Sequence, residues 1–331
     1  MHVKLNFIGI RIVKRVLLSF FRIFTLKMNQ IKSSKITVEA LLKDISRQFF
    51  NADITFAHGT DNAVDEAAYL IFGYLHLDHD SAEKTYKKIV SNHDIEIIKS
   101  MALKRINSQL PMAYILKQSW FAGLEFFVDQ RVLIPRSPIA ELINNKFEPW
   151  INIENKQRAL DLGTGSGCIA IALAKNFSNL HVDAIDYSVD AIDVATINVK
   201  QHSLEERVKI IESNFFDALS ANKEHYQYDL IISNPPYVDK DDISIMPAEF
   251  HHEPIIGLAS GDDGLESVNI ILKDAGDYLS EDGVLIVEVG NSQWALQEKY
   301  PLLPFVWLDF EMGGSGVFLL TKEDLDNHNK T

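Results

Sequence analysis

A single cysteine, Cys168, stands in 331 residues, so no internal disulfide can form and nothing points to secretion. Basic charge is also in short supply. Lysine and arginine number 32 against 46 acids, a net of −14. That balance disfavours a bare electrostatic grip on nucleic acid or an anionic membrane, and it would draw a basic protein partner. Long apolar runs are missing too. The first 27 residues, MHVKLNFIGIRIVKRVLLSFFRIFTLK, hold no uncharged stretch longer than six residues (5–10 and 16–21), far short of the ~20 that span a bilayer. No small-residue cleavage site follows a continuous apolar core, which argues against a signal peptide. The expectation is a cytoplasmic protein without a membrane anchor. Internal repeats and low-complexity tracts are absent, which excludes a solenoid.

The first segment is unlike the rest. It carries Lys4, Arg11, Lys14, Arg15, Arg22 and Lys27 and no acid, so the remainder holds 26 basic and 46 acidic side chains, a net of −20. Residues 1–27 read as a basic extension, either an amphipathic surface helix or sequence ahead of a true start at Met28. The second is expected, because an ordinary soluble domain begins just afterwards.

A chain of this length suits two domains. TVEALLKDISRQFF (37–50) puts Val38, Leu41, Leu42, Ile45 and Phe49 on one helical face. The cap signals of HGTDN (58–62) predict a second helix with Val64, Ala68, Ile71 and Leu75 in register. DIEIIKSMALKRI (94–106) repeats the pattern through Ile95, Ile98, Met101, Ala102 and Ile106. Residues 28–118 are thus expected to form a small helical domain. WFAGLEFFVDQRVLIP is aromatic and β-branched around a polar Asp129-Gln130-Arg131 break, which suggests a β-hairpin connector over 119–135. Beyond it RALDLG, HVDAID, VKIIES, YDLIIS and GVLIVEV read as strands, the first three separated by GCIAIALAKN and DAIDVATINVKQH. That alternation predicts a doubly wound α/β fold with a mostly parallel sheet. FVWLDF (305–310) and GVFLLT (316–321), joined by a glycine-rich turn, read as a closing antiparallel hairpin.

Two motifs carry chemistry. DLGTGSG (161–167) follows the first strand and opens a helix. Its glycines let a ligand approach main-chain N–H groups. Nineteen residues past Gly167, Asp186 ends the next strand, where a carboxylate can accept hydrogen bonds from ribose hydroxyls. Alone this says only that a nucleoside-containing cofactor binds, and a nicotinamide dehydrogenase would satisfy it equally.

Asn234-Pro235-Pro236-Tyr237 ends the fourth strand, the edge where open α/β sheets bind ligands. Two consecutive prolines cannot donate to a sheet ladder or start an ordinary helix, so they fix a corner. The Asn234 side-chain oxygen and the Pro235 carbonyl then offer two acceptors, the number an –NH₂ group needs. Tyr237 adds a ring face for a planar amide or base. A dehydrogenase has no use for such a site; a methyltransferase acting on an amide or an exocyclic amine does.

Glycine loop, Asp186 and Asn-Pro-Pro-Tyr in this order resemble the S-adenosylmethionine-dependent methyltransferases. HEPIIGLASGDDGL (252–265), VLIVEVGNSQ (284–293), NSQLPMAYIL (107–116) and the stretch from 120 to 147 extend the likeness to the protein glutamine N(5)-methyltransferases over about residues 35 to 325. Release-factor enzymes of that family usually carry a Pro-Glu/Asp-Thr-Glu-like run after Ile-Pro-Arg; here Ser137-Pro138-Ile139 follows Arg136, similar to the branch acting on ribosomal protein L-three. The resemblance implies a Rossmann-like class I methyltransferase domain over 136–325 and S-adenosyl-L-methionine as cofactor. Gly163, Thr164, Gly165, Ser166 and Gly167 would line its methionine and ribose, and Asp186 would hold the ribose hydroxyls. Phe215 would sit beside the adenine, with Asn214 where the family often has Asp. Asn234, Pro235, Pro236 and Tyr237 would hold the substrate glutamine, Asn234 also facing the cofactor. The implied partner is a basic ribosomal protein, L-three before assembly, with no direct nucleic-acid contact. A release-factor substrate is the alternative. A DNA adenine methyltransferase, which shares the motif, fits poorly with the acidic charge, and a silent adaptor fits poorly with an intact Asn234 and glycine loop.

Other residues invite blander readings. His251 and His252 lack the companions a zinc site needs. Glu253-Pro254 is expected to brace the Asn-Pro-Pro-Tyr loop, and Cys168, at a helix start, to be a small packed side chain rather than an activated thiolate. No strong base is required, since an N-methylated amide is acidic enough to lose its proton to solvent, and none stands next to Asn234 in sequence.

Overall fold

The computed structural model describes residues 35–77 and 82–329; the basic extension at 1–27 lies outside them. Helix α1 (Val38–Phe50) starts at Thr37, whose hydroxyl accepts the Ala40 N–H, and buries Val38, Leu41, Ile45 and Phe49 as their spacing requires. Helix α2 (Ala63–Leu75) is capped by Asn62, which accepts from the N–H groups of Val64 and Asp65. Its inward face runs through Ala63, Ala67, Leu70 and Ile71, while Val64 is 53% exposed. Of the face read from the sequence, Ile71 is buried and Ala68 and Leu75 pack at its margin, but Val64 does not, and Glu66 points inward instead. After α3 (Ala82–Tyr86), helix α4 (Asn92–Ser108) sends Arg105 into the same core, where Nε donates to Glu66 at 2.7 Å and Nη2 to the Thr55 carbonyl at 2.6 Å. A buried ion pair is tolerated only when its remaining donors are satisfied. Helix α5 (Met112–Leu116) closes this layer.

Strands β1 (Ser119–Phe121) and β2 (Leu124–Phe126) form the expected hairpin, but it is shorter and turns at Ala122-Gly123. Both turn residues take left-handed φ, 48° and 77°, the geometry of a two-residue hairpin loop. Asp129 to Val132 make a separate turn, with Arg131 Nη2 on Asp129 at 2.8 Å. Helix α6 (Ile139–Asn144) leads into the sheet.

The remaining elements are β3 (Arg158–Leu162), α7 (Cys168–Asn176), β4 (His181–Asp186), α8 (Val189–Gln201), β5 (Val208–Glu212), β6 (Tyr228–Ser233), α9 (Lys240–Ile245), α10 (Glu266–Asp274), β7 (Leu279–Glu288), α11 (Gln293–Lys299), β8 (Val306–Leu308), β9 (Val317–Thr321) and α12 (Lys322–His328). Seven strands pair in the order β5-β4-β3-β6-β7-β9-β8. The first five are parallel, and β9 and β8 add the antiparallel hairpin anticipated from the sequence. Ala159, Val182, Ala184, Leu230 and Ile232 pack on one face with α7 and α8. Leu160, Leu162, Ile185, Ile231 and Leu285 pack on the other with α10 and α12. Burial on both faces is why the central strands β3, β6 and β7 read as largely apolar runs.

Strand order reverses between β3 and β6: β4 and β5 build outward from one side, β6 and β7 from the other. Such a switch point opens a crevice at the C-terminal ends of the strands. Both chemical motifs fall there.

Candidate active site

The crevice is a cavity of ≈ 260 Å³. Its walls bring together Gly163, Thr164, Gly165, Ser166, Asp186, Phe215 and the whole of Asn234 to Tyr237, residues up to 74 positions apart in the chain. Gly167 is the exception among the residues expected there. It stands at the N-terminus of α7, where an added Cβ would lie 3.4 Å from that of Ala195 on α8. Its smallness allows the close approach of α7 and α8.

On the cofactor side, Gly165 takes φ +55° and its N–H donates to Asp186 Oδ2 at 2.8 Å; an added Cβ would meet nothing within 4 Å. The other Asp186 oxygen accepts the Ser188 N–H at 2.9 Å. The carboxylate is therefore fixed at the strand end with lone pairs to spare for hydroxyl donors. Burial raises its pKa against the pull of these N–H groups. Beneath the loop Asp161 is fully buried; Oδ2 accepts from the Thr164 hydroxyl at 2.6 Å and the Ala170 N–H, while Oδ1 has no partner among the described residues. Burial pushes its carboxyl up to about 7. Sequence reasoning quoted Asp161 as the head of the motif and gave it no role. A fixed carboxylate at the strand end, beside a loop with open space, suits a ligand bearing hydroxyls, as the ribose of S-adenosylmethionine does. Phe215, held at φ +44°, forms a further wall beside Asn214.

Across the cavity, Asn234 is half-buried, and its carboxamide has no hydrogen-bond partner among the described residues. The backbone of Asn234 and Pro235 approaches the glycine loop: a Cβ on Gly163 would sit 3.9 Å from the Asn234 carbonyl and 4.0 Å from Pro235 Cα. Ser233 anchors the corner by donating to the Leu162 carbonyl at 2.7 Å. The Tyr237 hydroxyl donates to Glu288 Oε1 at 3.1 Å and the Tyr237 carbonyl accepts from Ser292 at 2.8 Å. Burial raises the Tyr237 pKa, so the phenol stays protonated.

Glu288, at the end of β7, was missed as a site residue. It is buried in the cavity wall, and Ser137 donates to its second oxygen at 2.5 Å. Burial raises its pKa. Its partners lie 51 and 151 positions away, beyond the reach of local pattern. Glu253 corrects another expectation. Its hydrogen bonds do not run to the Asn-Pro-Pro-Tyr loop; they hold the Ile134 N–H at 2.9 Å and clasp Arg136 at 2.6 and 2.8 Å, with His58 Nε2 3.4 Å away. Burial alone would raise the Glu253 carboxyl, but His58 and Arg136 outweigh it and hold it at about 2. Cys168 lines the cavity as a packed thiol, pushed up to about 12 by burial and so unreactive as a nucleophile. His252 Nε2 meets the Ser108 carbonyl at 2.8 Å, joining this region to α4. Among the described residues no helix is long and apolar enough to cross a membrane.

The profile of the "Methyltransferase small domain" family matches residues 143–251, which span β3 to β6 and Asn-Pro-Pro-Tyr. A protein of Francisella tularensis subsp. tularensis named ribosomal protein uL3 glutamine methyltransferase is 47% identical over 274 residues, 82% of this chain and 86% of its own. A protein of the same name from Neisseria meningitidis serogroup B is 41% identical over 298 residues, covering 90% and 97% of the two chains. The Rossmann-like sheet, the cavity at its switch point and this likeness over most of both sequences agree: the chain belongs to the ribosomal protein uL3 glutamine methyltransferase family.

Proposed function

We propose that this enzyme transfers a methyl group from S-adenosylmethionine to the side-chain amide nitrogen of a glutamine in ribosomal protein uL3, in the cytoplasm and before uL3 is assembled with RNA. The observation that carries the reading is the unpartnered, half-buried Asn234 carboxamide in the same cavity as the glycine loop. S-adenosylmethionine, when bound, supplies an electrophilic methyl group on a sulfonium. Asp186 would receive its ribose hydroxyls, the loop from Gly163 to Ser166 its methionine portion, and Phe215 with Asn214 its adenine.

The chain's own residues deal with the weak nucleophile. An amide nitrogen is poorly reactive because its lone pair is delocalised into the carbonyl. Asn234 Oδ1 and the Pro235 carbonyl each accept one amide hydrogen, which returns electron density to nitrogen and stabilises positive charge as it develops there. Preorganised partners of this kind are worth ~3–4 kcal/mol each. Tyr237, its hydroxyl held by Glu288, supports the loop and offers a ring against the amide plane. Glu288 is not needed as a base: both its oxygens already accept hydrogen bonds. The helical layer and hairpin, outside the cofactor-binding sheet, would select the partner. The net charge of −20 beyond residue 27 favours a highly basic protein not yet covered by phosphates.

The test is methyl transfer to free uL3, assembled large subunits and a release factor side by side, at two salt concentrations. Transfer to free uL3 alone, weakened by salt, is expected. Preference for the release factor would overturn the substrate, and preference for assembled subunits would overturn the timing.

A further inference from the structure

Toward the nitrogen of a bound glutamine, Asn234 Oδ1 and the Pro235 carbonyl act as acceptors, and both hydroxyls on that side, Ser137 and Tyr237, are already committed to Glu288. A polypeptide entering the cavity also brings carbonyl oxygens that lose their water and need donors. Arg136 lines the cavity with its side chain 31% exposed. It stands on the substrate side: Ser137, the next residue, donates to Glu288, which also holds the Tyr237 hydroxyl.

Three of its five donor positions are occupied. Nη1 donates to Glu253 Oε1 at 2.6 Å and to the Ile134 carbonyl at 3.3 Å, and Nη2 donates to Glu253 Oε2 at 2.8 Å. The Phe250 ring stands 5.5 Å from the guanidinium carbon. The Nε hydrogen and the second Nη2 hydrogen have no acceptor among the described residues. These two belong to one edge of the planar guanidinium and form a fork of parallel donors. Meanwhile Glu253, ionised and 0% exposed at its side chain, cancels the arginine's charge. A neutralised fork suits a neutral carbonyl better than an anion.

We propose that Arg136 is a substrate-binding residue whose free Nε/Nη2 edge takes a backbone carbonyl oxygen of the polypeptide next to the target glutamine. Glu253 acts through it as a positioning residue, with His58 of the helical layer behind. The inference rests on the reading of the site as a protein-amide methyltransferase and adds to it a second contact point, which ties turnover to a polypeptide rather than to free glutamine.

Arg136→Lys keeps the charge beside Glu253 but removes the fork; Arg136→Gln keeps a donor for Glu253 and removes the charge. Steady-state methylation of free uL3 and calorimetric binding of S-adenosylhomocysteine are measured for wild type and both variants. The lysine variant is expected to raise KM for uL3 roughly 10- to 100-fold, with kcat within about threefold and the S-adenosylhomocysteine Kd unmoved. An unchanged KM overturns the assignment. Weaker S-adenosylhomocysteine binding with unchanged KM also overturns it and gives the fork to the cofactor's carboxylate. A fall in kcat alone assigns Arg136 to holding the loop, and again the inference fails. Should the glutamine variant be too unstable to purify, the lysine variant decides. No methylation of uL3 by wild type would instead sink the proposed function itself, a result distinguishable from all of these.

Discussion

Gly290→Ala tests whether the orientation of Tyr237 matters. Gly290 follows β7 at φ +45°, and a Cβ there would lie 2.6 Å from Tyr237 Cε2 and 2.9 Å from Cζ. Carbon atoms in comfortable contact stand ~3.5–4.0 Å apart, so the ring must retreat by about 1 Å. Two costs arise in the folded state. The left-handed backbone costs an alanine ~1 kcal/mol, and overpacking costs ~1–3 kcal/mol. The sum, about 2–4 kcal/mol, should appear in urea unfolding as a lower midpoint with an unchanged slope. Catalysis should suffer more. A shift of that size strains the 3.1 Å bond to Glu288 and moves the wall against which the amide lies, and a displacement of ~1 Å can cost ~10²-fold in rate. S-adenosylhomocysteine binding, measured by calorimetry, should be nearly unaffected, because the glycine loop and Asp186 are not displaced. A stable variant with wild-type kcat would refute the role given to Tyr237.

Asn234→Ala should lower kcat by ~10²–10³ through loss of one preorganised acceptor, with little change in the S-adenosylhomocysteine Kd; near-normal turnover would remove Asn234 from the mechanism. Asp186→Ala should weaken cofactor binding by ~1.5–3 kcal/mol, read by calorimetry, and an unmoved Kd would place the ribose contact elsewhere. Glu253, held at about 2 in the folded protein and near ~4.3 when unfolded, binds protons more readily in the unfolded state. Its contribution is therefore complete above about pH 4.3 and is lost as pH falls toward 2. Acid titrations of stability should be shallower over that window for Glu253→Gln, and identical slopes would contradict the assignment.

Sequence conveyed the elements that obey one local rule and missed those that depend on distant pairing. Strands β3, β6 and β7 were legible because burial on both faces leaves largely apolar runs, and Asn-Pro-Pro-Tyr because two prolines admit few conformations. The phase of α2 was legible only in part: Ile71 meets the core as its spacing implies, but Val64 does not. A periodicity reading puts Glu66 and Arg105 outside, yet they pair in the core 39 positions apart. The hairpin turn was misread because Asp129-Gln130-Arg131 looks like a break, whereas Ala122-Gly123 takes the left-handed pair a tight loop needs. Glu288 and Glu253 were quoted within motifs, but their functions lie in contacts 51 to 151 residues long. The packing of Gly167 against Ala195 was not legible either, because spacing along one loop does not show which helix stands behind it.

The central claim is that Asn234 and Pro235 present a glutamine side-chain nitrogen for methylation. Its most direct test is tandem mass spectrometry of free uL3 after incubation with S-adenosylmethionine and either wild type or Asn234→Ala. The account predicts one added methyl group on the side-chain nitrogen of a single glutamine with wild type, and almost none with a variant that still binds S-adenosylhomocysteine. A methyl group on any other residue type, or on the same glutamine at equal rate with the variant, would contradict it.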